Sequence, residues 1–92
     1  MEKIKLTVSE LDEVICGDSE IYEVVRREIT GTFRHGNENT AVIKRVSDGK
    51  FFQIHYRDSV KDECEFQDMN YDGEYGEVVP VEVTVTVYKK AP

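Results

Sequence analysis

Tryptophan is absent from this sequence, and cysteine, histidine and proline occur only twice each. Cys16 and Cys64 stand far apart, without the Cys-x-x-Cys or Cys/His spacing of zinc and redox motifs, so we expect two buried, reduced thiols. Neither a nucleophile elbow nor a glycine-rich phosphate loop occurs. His35 falls in a predicted turn, and His55 falls on the polar face of a predicted strand. We therefore predict a protein that is not an enzyme and needs no cofactor.

Long apolar runs are also missing. No run approaches the roughly 20 residues of a membrane-spanning helix, and the first residues lack the apolar core of a signal peptide. We therefore expect a cytoplasmic protein without membrane contact. The 92 residues predict a single domain, residues 1–92, because a chain of this length has no room for a second core.

Positive charge is the third shortage, since 12 Lys and Arg face 19 Asp and Glu, for a formal net charge of −7. The bases are scattered along the chain and the excess of acid would repel phosphates, so we expect no direct binding to nucleic acid. A local basic patch requires four bases to meet across neighbouring strands: Arg26, Arg27, Lys44 and Arg45. The alternative is cross-strand pairing of these bases with glutamates: Glu23, Glu28 and Glu82.

What the chain has in excess is carboxylate, and the excess is concentrated in one stretch. Residues 58–77, called the acidic segment below, contain eight acids against one base, Lys61, and sum to −7. The other 72 residues hold 11 acids and 11 bases. The acidic segment has no clear periodicity, and we predict a long loop. Loops beyond about 12 to 15 residues in a compact domain are usually functional or disordered.

The N-terminal part of the sequence predicts one short helix. Thr7 and Glu10 have the spacing of a capping box, and Leu6 and Leu11 can form the hydrophobic staple across it. Gly17 is placed to end the helix in the left-handed conformation. The apolar residues between these ends fall on one face, so this helix must pack on a sheet.

Three stretches in the first two thirds of the chain predict antiparallel strands. Residues 40–46 and 51–57 flank Ser47-Asp48-Gly49-Lys50, which is a strong hairpin signal. The apolar residues of 20–33 fit a helix face or a strand face. Poor helix formers near its end favour the strand, and residues 34–37 then form the hairpin loop.

The last predicted strand covers residues 79–88, where valine alternates with Pro, Glu, Thr and Tyr. Such alternation is typical of a half-covered edge strand. The sequence thus predicts an α+β fold, in which a short N-terminal helix packs on a four-stranded antiparallel meander. The acidic segment is predicted to be a long loop before the last strand.

The acidic segment is the best candidate for a binding surface. Carboxylates replace phosphates in pairing with Arg and Lys, so this segment can occupy a basic, nucleic-acid-binding groove of another protein. Aromatic residues among the acids either pin the loop to the body or anchor the partner. A solvated charged surface is the simpler interpretation. We predict partner contacts from six acids and two aromatic anchors: Asp62, Glu63, Glu65, Phe66, Asp68, Tyr71, Asp72 and Glu74.

One local motif suggests a cation instead. Residues 68–73 match the Asp-x-Asn-x-Asp-Gly opening of a calcium loop. An EF-hand needs a bidentate glutamate where this chain has Val79, so Glu77 would have to substitute. A turn rich in Asp, Asn and Gly is the other interpretation. Calcium binding or small-ligand sequestration is therefore an alternative function, with a candidate metal site at Asp68, Asn70, Asp72 and Glu77.

The order of these features resembles a group of small phage and prophage proteins of unknown function. The resemblance rests on four stretches: Phe33-Arg34-His35, Asp48-Gly49-Lys50-Phe51-Phe52, Glu65-Phe66-Gln67-Asp68 and residues 79–87. One departure is that His35 stands where the group has Trp. The resemblance implies a protein of the host-cell cytoplasm that binds and blocks a host protein, and it carries no catalytic residues.

Residues and resemblance together predict a non-enzymatic, phage-type binding protein. It would inhibit a host defence protein, for example a CRISPR effector, by presenting the acidic segment to a basic, nucleic-acid-binding surface. A phage structural or assembly component is a further alternative, with residues 79–88 pairing edge to edge with another chain. Both a monomer and an oligomer fit the sequence.

Overall fold

The computed structural model describes residues 1–59, 65–81, 88, 90 and 91. Their elements, in chain order, are β1 (Lys3–Leu6), α1 (Val8–Cys16), β2 (Tyr22–Phe33), β3 (Gly36–Arg45), β4 (Phe51–Ser59), α2 (Phe66–Met69) and β5 (Gly73–Val78). The strands form one antiparallel sheet in the order β1-β5-β4-β3-β2. A short helix on an antiparallel sheet confirms the predicted α+β class.

The predicted N-terminal helix is α1, and both of its ends form as the sequence indicates. The Thr7 hydroxyl accepts from the Glu10 N–H at 3.2 Å, and the Glu10 carboxylate accepts from the Thr7 N–H at 3.1 Å. Gly17 has a left-handed φ of 81°, and its N–H donates to the Val14 carbonyl at 3.2 Å. Neither α1 nor α2, the helices of the described residues, is long and apolar enough to cross a membrane.

The strand prediction for residues 20–33 and both predicted hairpins are confirmed. Residues 22–33 form β2, which turns into β3 through Arg34 and His35. Between β3 and β4, Gly49 has a φ of 74°, and its N–H donates to the Arg45 carbonyl at 2.8 Å. These strands form where apolar alternation meets turn residues, and in the β3–β4 turn Gly49 supplies the positive φ that glycine tolerates.

One face of the sheet packs against α1 and encloses the hydrophobic core. The core residues lie on α1 and on alternate positions of three strands, β1, β3 and β4: Ile4, Leu6, Leu11, Val14, Ala41, Ile43, Phe52, Ile54 and Tyr56. Arg27 of β2 donates from Nη2 to the Ile15 carbonyl at 3.0 Å, which ties the end of α1 to the sheet. The opposite face, called the outer face below, carries polar side chains of β3 and β4 such as Thr40, Gln53 and His55.

The structure corrects the predicted sheet in two places. β1 was not predicted. All of β5 except Val78 lies inside the acidic segment, which is therefore not one long loop. With two glycines and two glutamates among its six residues, β5 has a composition that disfavours a strand. It forms because it fits between β1 and β4, where Tyr75 pairs with Ile4 and Glu77 pairs with Phe52. Tertiary pairing overrides local preference here.

The predicted last strand lies mostly outside the described residues. Val79, Pro80 and Val81 follow β5, are exposed, and belong to no strand. Residues 82–87, which carry most of the valine alternation, are outside the described part of the chain. The prediction of a strand there therefore stays a prediction.

Candidate binding surface

The described part of the acidic segment returns to the sheet through α2. The Phe66 ring lies beside Tyr56 of β4, with centroids 6.4 Å apart, and packs against the hydrophobic core. Met69 is 9% exposed. Two apolar side chains of the segment therefore face inward. Phe66 was predicted to anchor a partner, and the structure shows that it packs against its own sheet, which is the other role considered for these aromatic residues.

Asn70 fixes the segment to the edge of β4. Its Oδ1 accepts from the Arg57 N–H at 2.7 Å, and its Nδ2 donates to the carbonyls of Arg57 at 2.9 Å and Phe66 at 3.0 Å. The residue is 6% exposed. An amide side chain offers one acceptor and two donors, so it reproduces the pattern of a neighbouring strand at a point where β5 does not pair with β4.

Asp72 connects the segment to α1. Its Oδ1 accepts from the Val8 N–H at 2.9 Å. Val8 is the first residue of α1, and the first N–H groups of a helix have no partner within the helix. A carboxylate at this end is also favoured by the helix dipole. Asp72 was predicted as a charge partner, and it already stabilises the start of α1.

The other predicted contacts on this stretch face solvent. Glu65 and Asp68 are exposed, and neither side chain makes a hydrogen bond or ion pair within the part of the chain that the structure describes. Tyr71 is 78% exposed. Glu74 lies 3.6 Å from Lys3 Nζ, a pair whose side chains are 48% and 71% exposed and which therefore contributes little stability. Two further predicted contacts lie outside the described residues: Asp62 and Glu63.

The candidate calcium ligands serve other purposes. Asn70 and Asp72 each accept a backbone N–H, and Glu77 Oε1 accepts from the Glu2 N–H at 3.1 Å. Asp68 faces solvent. Among the described residues, no three His, Cys, Asp or Glu side chains come close enough together to hold a metal ion. The geometry gives the calcium hypothesis no support.

A second group of carboxylates surrounds Arg45. Its Nη1 and Nη2 donate to Glu2 at 2.5 and 2.8 Å, and its Nε and Nη2 donate to Asp48 at 3.0 and 2.7 Å. Lys50 Nζ lies 3.2 Å from Glu2. Hydrogen bonds from Arg45 lower the pKa of Glu2 and of Asp48 to about 2, and the two carboxylates raise the pKa of Arg45. We call these four residues the Arg45 cluster; sequence reasoning missed it because Glu2 is distant in sequence.

The four bases considered for a basic patch do not meet. Arg26 and Lys44 lie on the outer face, where Arg26 pairs with Glu28 at 3.6 Å. Arg27 donates to α1, and Arg45 belongs to the Arg45 cluster on the other face. The predicted alternative was cross-strand pairing with Glu23, Glu28 and Glu82. Arg26 does pair with Glu28, but both lie on β2, and Arg45 pairs instead with Glu2 and Asp48. Glu82 lies outside the described residues.

Cys16 corrects the expectation of buried thiols. It is exposed at the end of α1, and its Sγ donates to Asp12 Oδ1 at 3.5 Å. Partial desolvation and this carboxylate raise the pKa of the Cys16 thiol, which favours the unreactive protonated form. Cys64 lies outside the described residues.

A cleft of about 630 Å³ lies between the outer face of β4 and the acidic segment, and we call it the tyrosine cleft. Tyr71 and Tyr75 line it, and the Tyr75 hydroxyl donates to the His55 carbonyl at 3.3 Å. Partial burial raises the pKa of Tyr75. Thr30 and His55 also line the cleft, and Thr40 Oγ1, next to it, lies 3.3 Å from Thr30 Oγ1 and 3.0 Å from His55 Nδ1. No local pattern predicts this cleft, because it forms where β5 diverges from β4.

Comparisons of the chain with protein-family models, with curated proteins and with solved structures found no match. Function is therefore inferred from the residues themselves. The resemblance to small phage proteins stays a prediction.

Proposed function

We propose that this protein is a non-enzymatic binding protein that presents the outward side of its acidic segment to a basic surface of a partner protein. One observation carries the proposal. The segment is fixed on its inner side by Phe66, Met69 and Asn70, while Glu65 and Asp68 point outward with no side-chain partner among the described residues.

Fixed carboxylates suit this task for a physical reason. Binding costs free energy when side chains and loops must be ordered, and a segment already held by core packing and by Asn70 avoids part of that cost. The net charge of −7 attracts a basic partner over distance and raises the association rate, an effect that salt weakens. Binding through this surface is therefore sensitive to salt.

The resemblance to small phage proteins supplies the biological setting of the proposal. On that basis the partner is a host defence protein with a nucleic-acid-binding surface, for example a CRISPR effector. The carboxylates would occupy the positions of phosphates, and inhibition would follow from blocking the groove.

The test is a pull-down from bacterial host lysate at low and high salt, with a matched pair of variants. Glu65→Gln/Asp68→Asn removes two charges from the proposed surface, and Glu13→Gln/Glu20→Gln removes two from exposed positions elsewhere. We expect a nucleic-acid-binding protein to be recovered in near-stoichiometric amount at low salt and lost at high salt. Recovery should fall for E65Q/D68N and stay at the wild-type level for E13Q/E20Q. Equal recovery by all three proteins would refute the acidic-surface mechanism.

A second candidate is a phage assembly component that self-associates through β2. Within the described residues β2 is an edge strand. Its Val25 and Ile29 are 46% and 63% exposed, and Ile21, just before it, is 58% exposed. Two bulges interrupt this edge, after Val24 and after Ile29, which hinders pairing with another strand. Light scattering distinguishes the two candidates. Self-association requires that the measured mass rise with protein concentration, whereas the proposed binding function does not require such a rise.

A further inference from the structure

The tyrosine cleft lies beside the proposed binding surface and has a chemistry of its own. Glu65 and Asp68 are charged side chains on an exposed surface, whereas the cleft is a concave site. Tyr71, which lines the cleft, is 78% exposed. Its volume falls within the range of ligand sites in proteins, roughly 300 to 1,000 Å³. It is also far larger than a metal ion needs.

The charges that line the cleft favour a cation. Arg57 is the one Lys or Arg among the described lining residues, and its Nη2 and Nε donate to Glu38 Oε1 at 2.9 and 3.2 Å. Its guanidinium also lies 5.0 Å from the centre of the Phe33 ring, so it is held in place. The Asp72 carboxylate has no base as a partner among the described residues, since its one hydrogen bond comes from the Val8 N–H. After Arg57 and Glu38 cancel, one carboxylate remains.

The tyrosines specify the kind of cation. An aromatic ring attracts a positive charge placed over its face. A guanidinium is flat, so it can stack on such a ring while its N–H groups, which lie in its plane, donate to a carboxylate. An ammonium is compact and strongly hydrated, and it gains less from the same surroundings. Tyr71 and Asp72 are adjacent in sequence and both line the cleft, so the ring and the carboxylate are available together.

We infer that the tyrosine cleft binds the guanidinium group of an arginine side chain on the basic partner. Tyr71 provides the stacking surface, and the Asp72 carboxylate accepts the hydrogen bonds. This inference rests on the proposed function, and it identifies the anchor residue of the partner as arginine rather than lysine.

The test compares an octa-arginine peptide with an octa-lysine peptide by isothermal titration calorimetry at one fixed salt concentration. The proteins are the wild type, Tyr71→Ala, Asp72→Asn and E65Q/D68N. Asn at position 72 can still accept from the Val8 N–H, so D72N removes the charge and keeps the helix contact. We expect the wild type to bind octa-arginine about five-fold more tightly than octa-lysine. Y71A and D72N should each reduce that ratio, and E65Q/D68N should weaken both peptides and keep it.

Three results would overturn the inference: equal affinity of the wild type for the two peptides, an unchanged ratio in both Y71A and D72N, or no binding of either peptide. The first two leave the acidic surface standing if E65Q/D68N weakens binding. A preserved arginine preference with no effect of E65Q/D68N instead contradicts the proposed function. Melting temperatures of all variants establish that the fold is intact, and D72N carries the test if Y71A does not fold.

Discussion

The Arg45 cluster and the acidic segment use the same residue types for opposite purposes. In the Arg45 cluster, two carboxylates hold one guanidinium by four hydrogen bonds, and the Arg45 side chain is 17% exposed. In the acidic segment, Glu65 and Asp68 reach solvent with no side-chain partner in the described part of the chain. A carboxylate stabilises the fold where the chain brings a base to it, and it stays available for a partner where the chain does not.

Each region also depends on contacts between residues distant in sequence. Glu2, at the start of the chain, meets Arg45 and Lys50 around the β3–β4 turn, and its carbonyl accepts from the N–H of Glu77 in β5. The acidic segment depends on Asn70 in the same way, since this side chain replaces a missing stretch of sheet pairing. Substitutions can therefore distinguish the residues that stabilise the fold from the carboxylates that are free to bind a partner.

The largest expected effect is that of Asn70→Ala. The substitution removes three hydrogen bonds and leaves the backbone N–H and carbonyl of Arg57 without this partner. Leaving a buried polar group unpaired costs about 1–3 kcal/mol, so we expect a loss of that size in the free energy of unfolding. Urea denaturation measures it, with Asp68→Asn as a control on the outward side of the same segment. An N70A variant as stable as the wild type would show that the segment is held by other contacts.

The second prediction concerns acid and the Arg45 cluster. The pKa of Glu2 falls from an ordinary 4.5 to about 2, and that of Asp48 from 3.8 to about 2. Since both are lowered in the folded state, their stabilisation is complete above about pH 4.5 and is lost as pH falls towards 2. We expect Glu2→Gln/Asp48→Asn to lower the melting temperature by several degrees at pH 7 and to flatten its fall between pH 4.5 and 2.

Thermal melts over this pH range, at low and high salt, measure the effect. High salt should reduce the difference between E2Q/D48N and the wild type, because Glu2 and Asp48 are each 38% exposed and salt screens such charges. E65Q/D68N serves as the control and should keep the wild-type slope. Parallel slopes for the wild type and E2Q/D48N would contradict the assignment of this stability to the Arg45 cluster.

Asp72 belongs to the acidic segment but also stabilises the start of α1. Its substitution should therefore have an intermediate effect on the free energy of unfolding. Asp72→Ala removes one bond to the Val8 N–H and a favourable charge at the start of α1, which is worth about 0.3–1 kcal/mol. Thr7→Ala, which removes the cap of the same helix, should cost about 1 kcal/mol and provides the reference. Urea denaturation compares the two variants. If D72A were less stable than N70A, then Asp72 rather than Asn70 would contribute more to holding the segment in place.

The sequence predicts well where local rules decide the structure. The α1 helix follows from Thr7, Glu10 and Gly17, and the two hairpins follow from turn residues between alternating apolar positions. The α+β class was therefore predictable. β5 was not, because Gly73 and Gly76 disfavour a strand and only the neighbouring β1 and β4 make it one.

The candidate binding surface was likewise predictable only in part. Composition located the acidic segment, but it did not separate the residues that face inward from those that face outward. Phe66 and Tyr71 look alike in the sequence, and only the position of α2 against Tyr56 distinguishes them. Asn70 belonged to a calcium motif by spacing, whereas its role depends on meeting Arg57, which spacing does not reveal.

The smallest expected effect on stability is that of E65Q/D68N. A small effect would show that these two carboxylates, unlike those of the Arg45 cluster, do not stabilise the fold. Neither carboxylate has a side-chain partner among the described residues, so their neutralisation removes no hydrogen bond. Exposed substitutions of this kind stay within about 0.5 kcal/mol, and lower repulsion within the acidic segment acts in the stabilising direction. Urea denaturation at low salt should therefore give a midpoint equal to or slightly above that of the wild type. A clearly lower midpoint would mean that Glu65 or Asp68 supports the fold, and the two regions would then differ in degree rather than in purpose.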